Sequence, residues 1–409
     1  MPAPHLHEIR AGFLPLLDSA ILVAAREKAF AEDEAINLTL IRENSWANIR
    51  DRMAVGHFQI AHMLGPMPIA ARLGLTPLQL DVIAPMALGL GGNAVTISVD
   101  LAEAMAGHGG LSGLHAAVSV ERLAQVVRDR KSGHRPPLSF AVVHPFSAHN
   151  YDLRYWLAAG GIDPEQDVQI VIVPPPLMAD ALKSGQIDGF CVGEPWNSLA
   201  VSLGAGVIAT TKSAIWRSSP EKVLAVSSSL EVEEPDLLAA ILRALYRSAE
   251  WCGHADHHEE LAALLARPEY VGLDQKLLLP ALQGRLRHRG GDVAKVQDFF
   301  VPFDKAATFP WQSHALWFYS QMVRWGHATW NLEDAQGAAQ VYRPDLYRAA
   351  VSPLGAAVPA ANSKVEGALQ TPTHVGSSEG SLILGPDGFF DDRIFDPEQV
   401  EAYVKEQQV

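Results

Sequence analysis

The stretch Glu8-Ile-Arg-Ala-Gly-Phe-Leu14, a helix-patterned run from Ser19 to Phe30 and then Ile36-Asn-Leu-Thr-Leu-Ile41 decide the fold class. Two short apolar runs flanking an amphipathic segment read as β-α-β, and a further helix opens at Ser45, whose hydroxyl suits an N-cap. Such alternation implies an open parallel sheet with helices on both faces. In such sheets ligands collect beyond the carboxyl ends of the strands, which is where the helix starting at Ser45 points its first turn. Strand-like runs continue at 59–64, 94–98, 138–143, 168–173, 190–192, 207–211 and 223–227, with a helix across 177–184. From 235 to about 350 the pattern is mostly helical, and no repeat of fixed period occurs.

The expected organisation is a first lobe at 1–97, a second at 98–209, a helical return to the first at 210–350, and a segment at 351–409. Residues 351–380 are rich in Pro, Gly, Ser and Ala, which favours a flexible or surface-laid stretch, while the end beyond 389 is expected to pack on the body. A chain that leaves one lobe, builds another and returns creates a cleft that opens and closes about hinges.

Composition narrows the function classes. Of 409 residues 48% are hydrophobic and 19% charged, which excludes disorder as the main state. Thirty-two Lys and Arg against 46 Asp and Glu give −14, so wholesale binding to nucleic-acid phosphates or an anionic membrane is disfavoured. Cys191 and Cys252 make no disulfide framework and no CxxC pair, which fits a reducing compartment. No run approaches the roughly 18 apolar residues that span a bilayer. The N-terminus passes from polar residues straight into a patterned segment, without the basic flank, apolar core and cleavage site of a secretion signal, so the expectation is a cytoplasmic protein.

Nucleotide and hydrolase motifs fail. Gly89-Leu-Gly-Gly-Asn93 lacks GxGxxG spacing, and neither GxxxxGK[ST] nor HExxH occurs. The single GxSxG match, Gly376-Ser-Ser-Glu-Gly380, has no strand before it and no helix after it. His254, His257 and His258 cluster in Trp251-Cys-Gly-His-Ala-Asp-His-His-Glu-Glu260 and read as a polar helix entrance rather than a metal site.

Five spaced motifs carry the specific signal: Ser45-Trp-Ala-Asn-Ile-Arg-Asp51, Ala61-His-Met-Leu-Gly-Pro-Met-Pro68, Arg154-Tyr-Trp-Leu-Ala-Ala-Gly-Gly-Ile-Asp-Pro164, Cys191-Val-Gly-Glu-Pro-Trp-Asn197, and Ile215-Trp216 followed by Pro220-Glu-Lys222. Together they resemble the nitrate- and bicarbonate-binding proteins of ABC transporters, the NrtA/CmpA family, from near residue 8 to 350, with Phe395-Asp-Pro397 resembling the family's last segment. The resemblance implies an α/β, two-lobed periplasmic-binding-protein-like fold of type II, holding a small planar oxyanion in the cleft between lobes. Carried over motif by motif, it implies anion contacts from Trp46, His149, Gly193 and Lys222. The family's amide side chain, commonly Gln, falls on Asn93, whose shorter reach asks for tighter closure or a bridging water.

The residue chemistry agrees with that set. A trigonal anion needs donors converging on one plane and a compensating positive charge in a partly dry site. Lys222 supplies the charge, His149 and Asn93 directional donors, and Trp46 a flat wall. Gly193 lets a backbone N–H approach closely because it has no side chain. Singly, each has an ordinary structural explanation as a core aromatic, a satisfied histidine, a turn residue or a solvated lysine; the joint pattern favours binding. Glu194, next to Gly193, is expected to point away or to be paired by a cation such as Lys222.

In the bicarbonate branch that the chain resembles, the position of Lys222 is acidic and works with calcium, so the resemblance implies nitrate or nitrite as ligand and no metal or other cofactor. With the cytoplasmic expectation, it further implies a sensor of the NasS type. Such a sensor holds an RNA-binding antiterminator (NasT type, with an ANTAR domain) inactive until the anion arrives, with no direct nucleic-acid or membrane contact. The alternative is the substrate-binding component of a nitrate ABC transporter. Thiamine-pyrimidine synthases share the type II fold but rely on pyridoxal phosphate and a cysteine-rich segment that this sequence lacks, so no enzyme is expected.

Overall fold

The computed structural model describes residues 6–111 and 113–407. Five strands, β1 (His7–Phe13), β2 (Ile36–Arg42), β3 (Ile60–Leu64), β4 (Val82–Ala87) and, far along the chain, β10 (Lys222–Ser227), form one sheet in the order β2-β1-β3-β10-β4. The intervening β5 (Asn93–Ser98), β6 (Leu138–Val142), β7 (Val168–Ile172), β8 (Gly189–Gly193) and β9 (Gly206–Thr211) form a second, in the order β9-β5-β8-β6-β7. Each sheet is the centre of one lobe, so the α/β two-lobed fold is the one the motifs implied.

Local sequence explains the elements. Ser45 has extended backbone angles and its Oγ accepts from Asn48 N at 3.2 Å, starting the helix Trp46–Ala54 as an N-cap. The helix Ala20–Glu27 buries Ala20 through Ala25 between the first sheet and the long helix Pro235–Gly253, whose Ser248 Oγ donates to Ile21 O at 2.7 Å. Strands β3 and β8 are buried along their whole length, as central strands covered on both faces require.

Three expectations need correction. First, the sheets are mixed rather than parallel: β1 runs parallel to β2 and β3, but β10 is antiparallel to both β3 and β4. β10 arrives from the second lobe and enters the first sheet from the opposite end, a direction that apolar patterning does not encode. Second, the crossings lie elsewhere than 97/98 and 209/210. All of β5 from Asn93 and all of β9 to Thr211 belong to the second sheet, so the chain crosses at 88–92 and 212–221. Gly91 sits at the first crossing with φ 71°, and a Cβ there would lie 2.3 Å from the Phe299 carbonyl oxygen, so only glycine fits.

Third, the Pro- and Gly-rich part of the 351–409 segment is anchored rather than flexible, while the end beyond 389 packs on the body. A hairpin pairs Thr373–Val375 with Leu382–Leu384, and the GxSxG match is part of its turn. Phe389 stacks on Trp216 with centroids 4.5 Å apart and 18° between planes, and Phe390 N donates to Ile215 O at 2.9 Å. Half-buried Lys364 pairs with buried Glu366 and Asp387, its Nζ 2.7 Å from Asp387 Oδ2, and Ser313 Oγ donates to Glu366 at 2.7 Å. Small residues lying flat on a surface are ordered by such anchors, whatever their own preference for loops.

The tail therefore clamps the second crossing. Phe389→Ala should destabilise the protein by ~3–5 kcal/mol in urea unfolding, the cost of a large cavity beside Trp216. A loss below about 0.5 kcal/mol, as for a surface substitution, would contradict the clamp.

Candidate functional site

The two crossings and the carboxyl end of the first sheet meet in one buried polar cluster. The loop after β1 brings Asp18; the first turn of the helix Trp46–Ala54 brings Trp46; β3 carries His62 at its centre. Lys222 opens β10, with Glu221 just before it. From the second lobe come Asn93, first in β5 and opposite Gly193 in the ladder, and His149 and Asp152 on the helix Ala148–Ala159. Lys212, on the short helix Lys212–Ile215, completes the set. Every one of these side chains is buried.

Charge pairing organises the cluster. Lys222 Nζ lies 2.9 Å from Asp18 Oδ2 and 2.6 Å from Glu221 Oε1. Lys212 Nζ lies 2.5 Å from Asp152 Oδ2 and 2.9 Å from Glu221 Oε2. Asn93 Nδ2 donates to Glu221 Oε2 at 2.5 Å, and His149 Nδ1 is 3.5 Å from Glu221 Oε1. His62 Nε2 is 3.0 Å from Asp18 Oδ1, and the Trp46 ring centroid lies 5.4 Å from Lys222 Nζ and 5.1 Å from the His62 ring. A Cβ on Gly193 would sit 3.2 Å from Asn93 Oδ1 and from Leu16 Cδ2, so a larger residue would crowd this floor.

Protonation follows from burial against pairing. Burial pushes Glu221 up, but Lys212 and Lys222 overcome it and hold the carboxyl at about 2; Asp18 goes the same way against Lys222 and His62. For Asp152 burial wins over Lys212, and its pKa rises to about 6. Burial takes His149 down to about 3, so its ring is neutral near pH 7 and offers one donor and one acceptor. Both lysines are held above their ordinary value because Asp152, Asp18 and Glu221 outweigh desolvation. With neutral histidines, two ammonium groups face three carboxylates.

Trp46 Nε1, both ring nitrogens of His149 and Asn93 Oδ1 are buried and make no hydrogen bond to protein groups. Buried polar atoms are ordinarily paired, so unpaired ones gathered around one lysine mark a site made for a small polar ligand. Among the described residues no group of three or more His, Cys, Asp and Glu side chains suits a metal ion. His257, of the histidine cluster, stacks on Trp251 at 4.6 Å and 11°, with its Nδ1 2.9 Å from Trp251 O.

All five residues singled out by motif lie in or against this cluster. Sequence reasoning missed Asp18, His62, Asp152, Lys212 and Glu221 as site residues. A histidine inside the apolar strand Ile60–Leu64 and a lysine directly after β9 were the available signals, since charged or polar groups in such runs require buried partners. Glu194 points away, its Oε2 accepting from Ser198 N at 3.1 Å, and burial raises its pKa to about 7.

Two mixed sheets joined by two crossings over an interlobe polar cluster define a two-lobed protein of the periplasmic-binding-protein type. Residues 2–266 match the model of the NMT1-like family, and the chain belongs to that family as an NrtA-like member. It is 30% identical to the nitrate/nitrite binding protein NrtA of Synechococcus elongatus over 416 residues, covering 98% of this chain and 86% of the relative. It is 34% identical over 349 residues to the nitrate import ATP-binding protein NrtC of Synechocystis, covering 84% of this chain but only 50% of that relative. The chain thus spans about half the length of NrtC. The crystal structure of the periplasmic nitrate-binding protein NrtA from Synechocystis PCC 6803 superposes with a TM-score of 0.86 at 24% identity, covering both chains fully. An alkanesulfonate-binding protein, SsuA of Xanthomonas axonopodis, shares the fold at a TM-score of 0.55 and 14% identity. The NrtA relatives are named as nitrate/nitrite binding proteins.

Glu194 generates a pH prediction. Its folded pKa of about 7 exceeds the ordinary 4.5, so the folded state holds a proton that the unfolded state releases, and stability falls as pH rises between those values. Glu194→Gln should therefore stabilise the protein at pH 8 more than at pH 5 in urea unfolding. An equal effect at both pH values would contradict the assignment.

Proposed function

We propose that the chain binds nitrate or nitrite between its lobes, with Lys222 supplying the charge, His149, Asn93 and Trp46 directional contacts, and the Gly193 backbone a close approach. The observation that carries this reading is the gathering of unpaired buried polar atoms around Lys222. The NrtA relatives, named for nitrate and nitrite, support the ligand class. A lysine at this position, where the bicarbonate-binding branch is acidic, favours nitrate or nitrite. The reading calls for no cofactor and no metal.

The finer role is that of a sensor. An anion that prefers the closed cleft shifts the population toward closure by its differential affinity, and a partner that prefers the open form is released by the same factor. The partner is a NasT-type antiterminator with an ANTAR domain, and the protein works in the cytoplasm. Two supports are the net charge of −14, complementary to a basic RNA-binding protein, and the free buried thiols of Cys191 and Cys252, which suit a reducing compartment. A second reading, the substrate-binding component of a nitrate ABC transporter, is favoured by the 86% coverage of NrtA and the match to the import protein NrtC.

Calorimetry on folded variants tests the site. Lys222→Met should lose nitrate binding, and His149→Ala should weaken it by ~1–3 kcal/mol, the range for a deleted buried donor. Unchanged affinity in either would remove that residue from the site.

Co-purification from the native host, followed by gel filtration, separates the two roles. A complex with an ANTAR protein that nitrate or nitrite dissolves, while sulfate and bicarbonate do not, is expected of the sensor. Recovery in the periplasm without such a partner would support transport instead.

A further inference from the structure

We propose that the Glu221 carboxylate occupies the place of the anion in the closed cleft, so that a planar oxyanion binds by displacing it. Glu221 is then a built-in competitor that sets both affinity and ligand class. The inference rests on the reading that the anion binds at Lys222, His149 and Asn93.

Four groups surround this carboxylate, and three of them are the residues that the motifs assign to the anion. Oε1 faces Lys222 at 2.6 Å and His149 at 3.5 Å; Oε2 takes Asn93 at 2.5 Å and Lys212 at 2.9 Å. A carboxylate presents two oxygens and a delocalised negative charge on a trigonal centre, the same edge that nitrite, nitrate and formate present. Donors arranged for one are arranged for the others, whereas tetrahedral sulfate places its oxygens off that plane.

Glu221 also performs the mechanical role of a cleft ligand. It lies in the second crossing, just before β10, and its carbonyl accepts from Gly65 N of the first lobe at 2.9 Å. Its side chain meanwhile accepts from Asn93 of the second lobe, with His149 of that lobe 3.5 Å away, and pairs with Lys212 at the start of the second crossing and Lys222 of the first lobe. The two lobes are thus tied through one carboxylate. The residues leading to it, Ser218 to Pro220, belong to neither of the two main sheets, and Ser218 has φ 58°, so the tether is a short turn rather than a ladder strand.

Charge balance favours exchange over addition. Two ammonium groups already face three carboxylates, and a further anion in the same buried space would leave another negative charge uncompensated. Replacing the Glu221 carboxylate with an external anion leaves the local sum unchanged.

The test uses the full-length protein and two probes, sodium formate and sodium nitrate, titrated calorimetrically into the wild type, Glu221→Ala and Glu221→Gln. Far-UV circular dichroism verifies folding. Glu221→Ala should bind formate at least tenfold more tightly than the wild type and gain a similar factor for nitrate. Glu221→Gln, which keeps the shape and loses the charge, should gain less in the same direction, and it carries the test if the alanine variant fails to fold. Formate affinity equal to or weaker than wild type in a folded variant overturns the proposal, because it makes Glu221 only a holder of Lys222 and Lys212. Normal nitrate binding by the wild type alongside that result leaves the nitrate reading standing. Formate gain in a variant, with nitrate bound by none of the three proteins, leaves the competitor standing and removes nitrate as the ligand.

Discussion

Burying five charged side chains in one place is the constraint on which the rest of the structure depends. Each ion taken out of water costs several kcal/mol unless partners and hydrogen bonds compensate. Here compensation requires groups from both lobes and the second crossing at once: Asp18 after β1, Lys222 at the head of β10, Lys212 after β9 and Asp152 on the helix behind the second sheet. Glu221 is the common partner, paired with Lys222 of the first sheet and Lys212 at the start of the second crossing. Separating the lobes would leave those charges to water or to other ligands, so the same pairs that stabilise closure make it responsive to an added anion.

The position of the cluster follows from topology. Because β10 enters between β3 and β4, Lys222 is delivered next to His62 and the loop carrying Asp18. Because β5 pairs with β8, Asn93 and Gly193 face each other at the opposite wall. The clamp of Phe389 on Trp216, directly after the helix that bears Lys212, fixes the second crossing from outside. In this way a tail remote from the cleft contributes to the placement of a cleft residue.

Much of this was legible in the amino-acid order, and the rest was hidden for definable reasons. Strands, the Ser45 cap, the two-lobed α/β fold and five residues that lie in or against the buried cluster could be read because periodicity, capping and spaced motifs are local. The antiparallel entry of β10 could not, since strand direction is decided by where the chain returns from. Asp18, Asp152 and Lys212 went unseen because a charge reveals its buried partner only in three dimensions. The order of the Pro- and Gly-rich part of the 351–409 segment was hidden because that composition reports local freedom, while Glu366 and Asp387 act through contacts with distant elements.

A crystal structure of the protein grown with nitrate tests the central claim most directly. The account predicts a planar anion within hydrogen-bonding distance of Lys222 Nζ, His149 and Asn93, with the lobes closed around it. Nitrate bound away from these groups, or an unchanged cluster with no anion at saturating concentration, would contradict it.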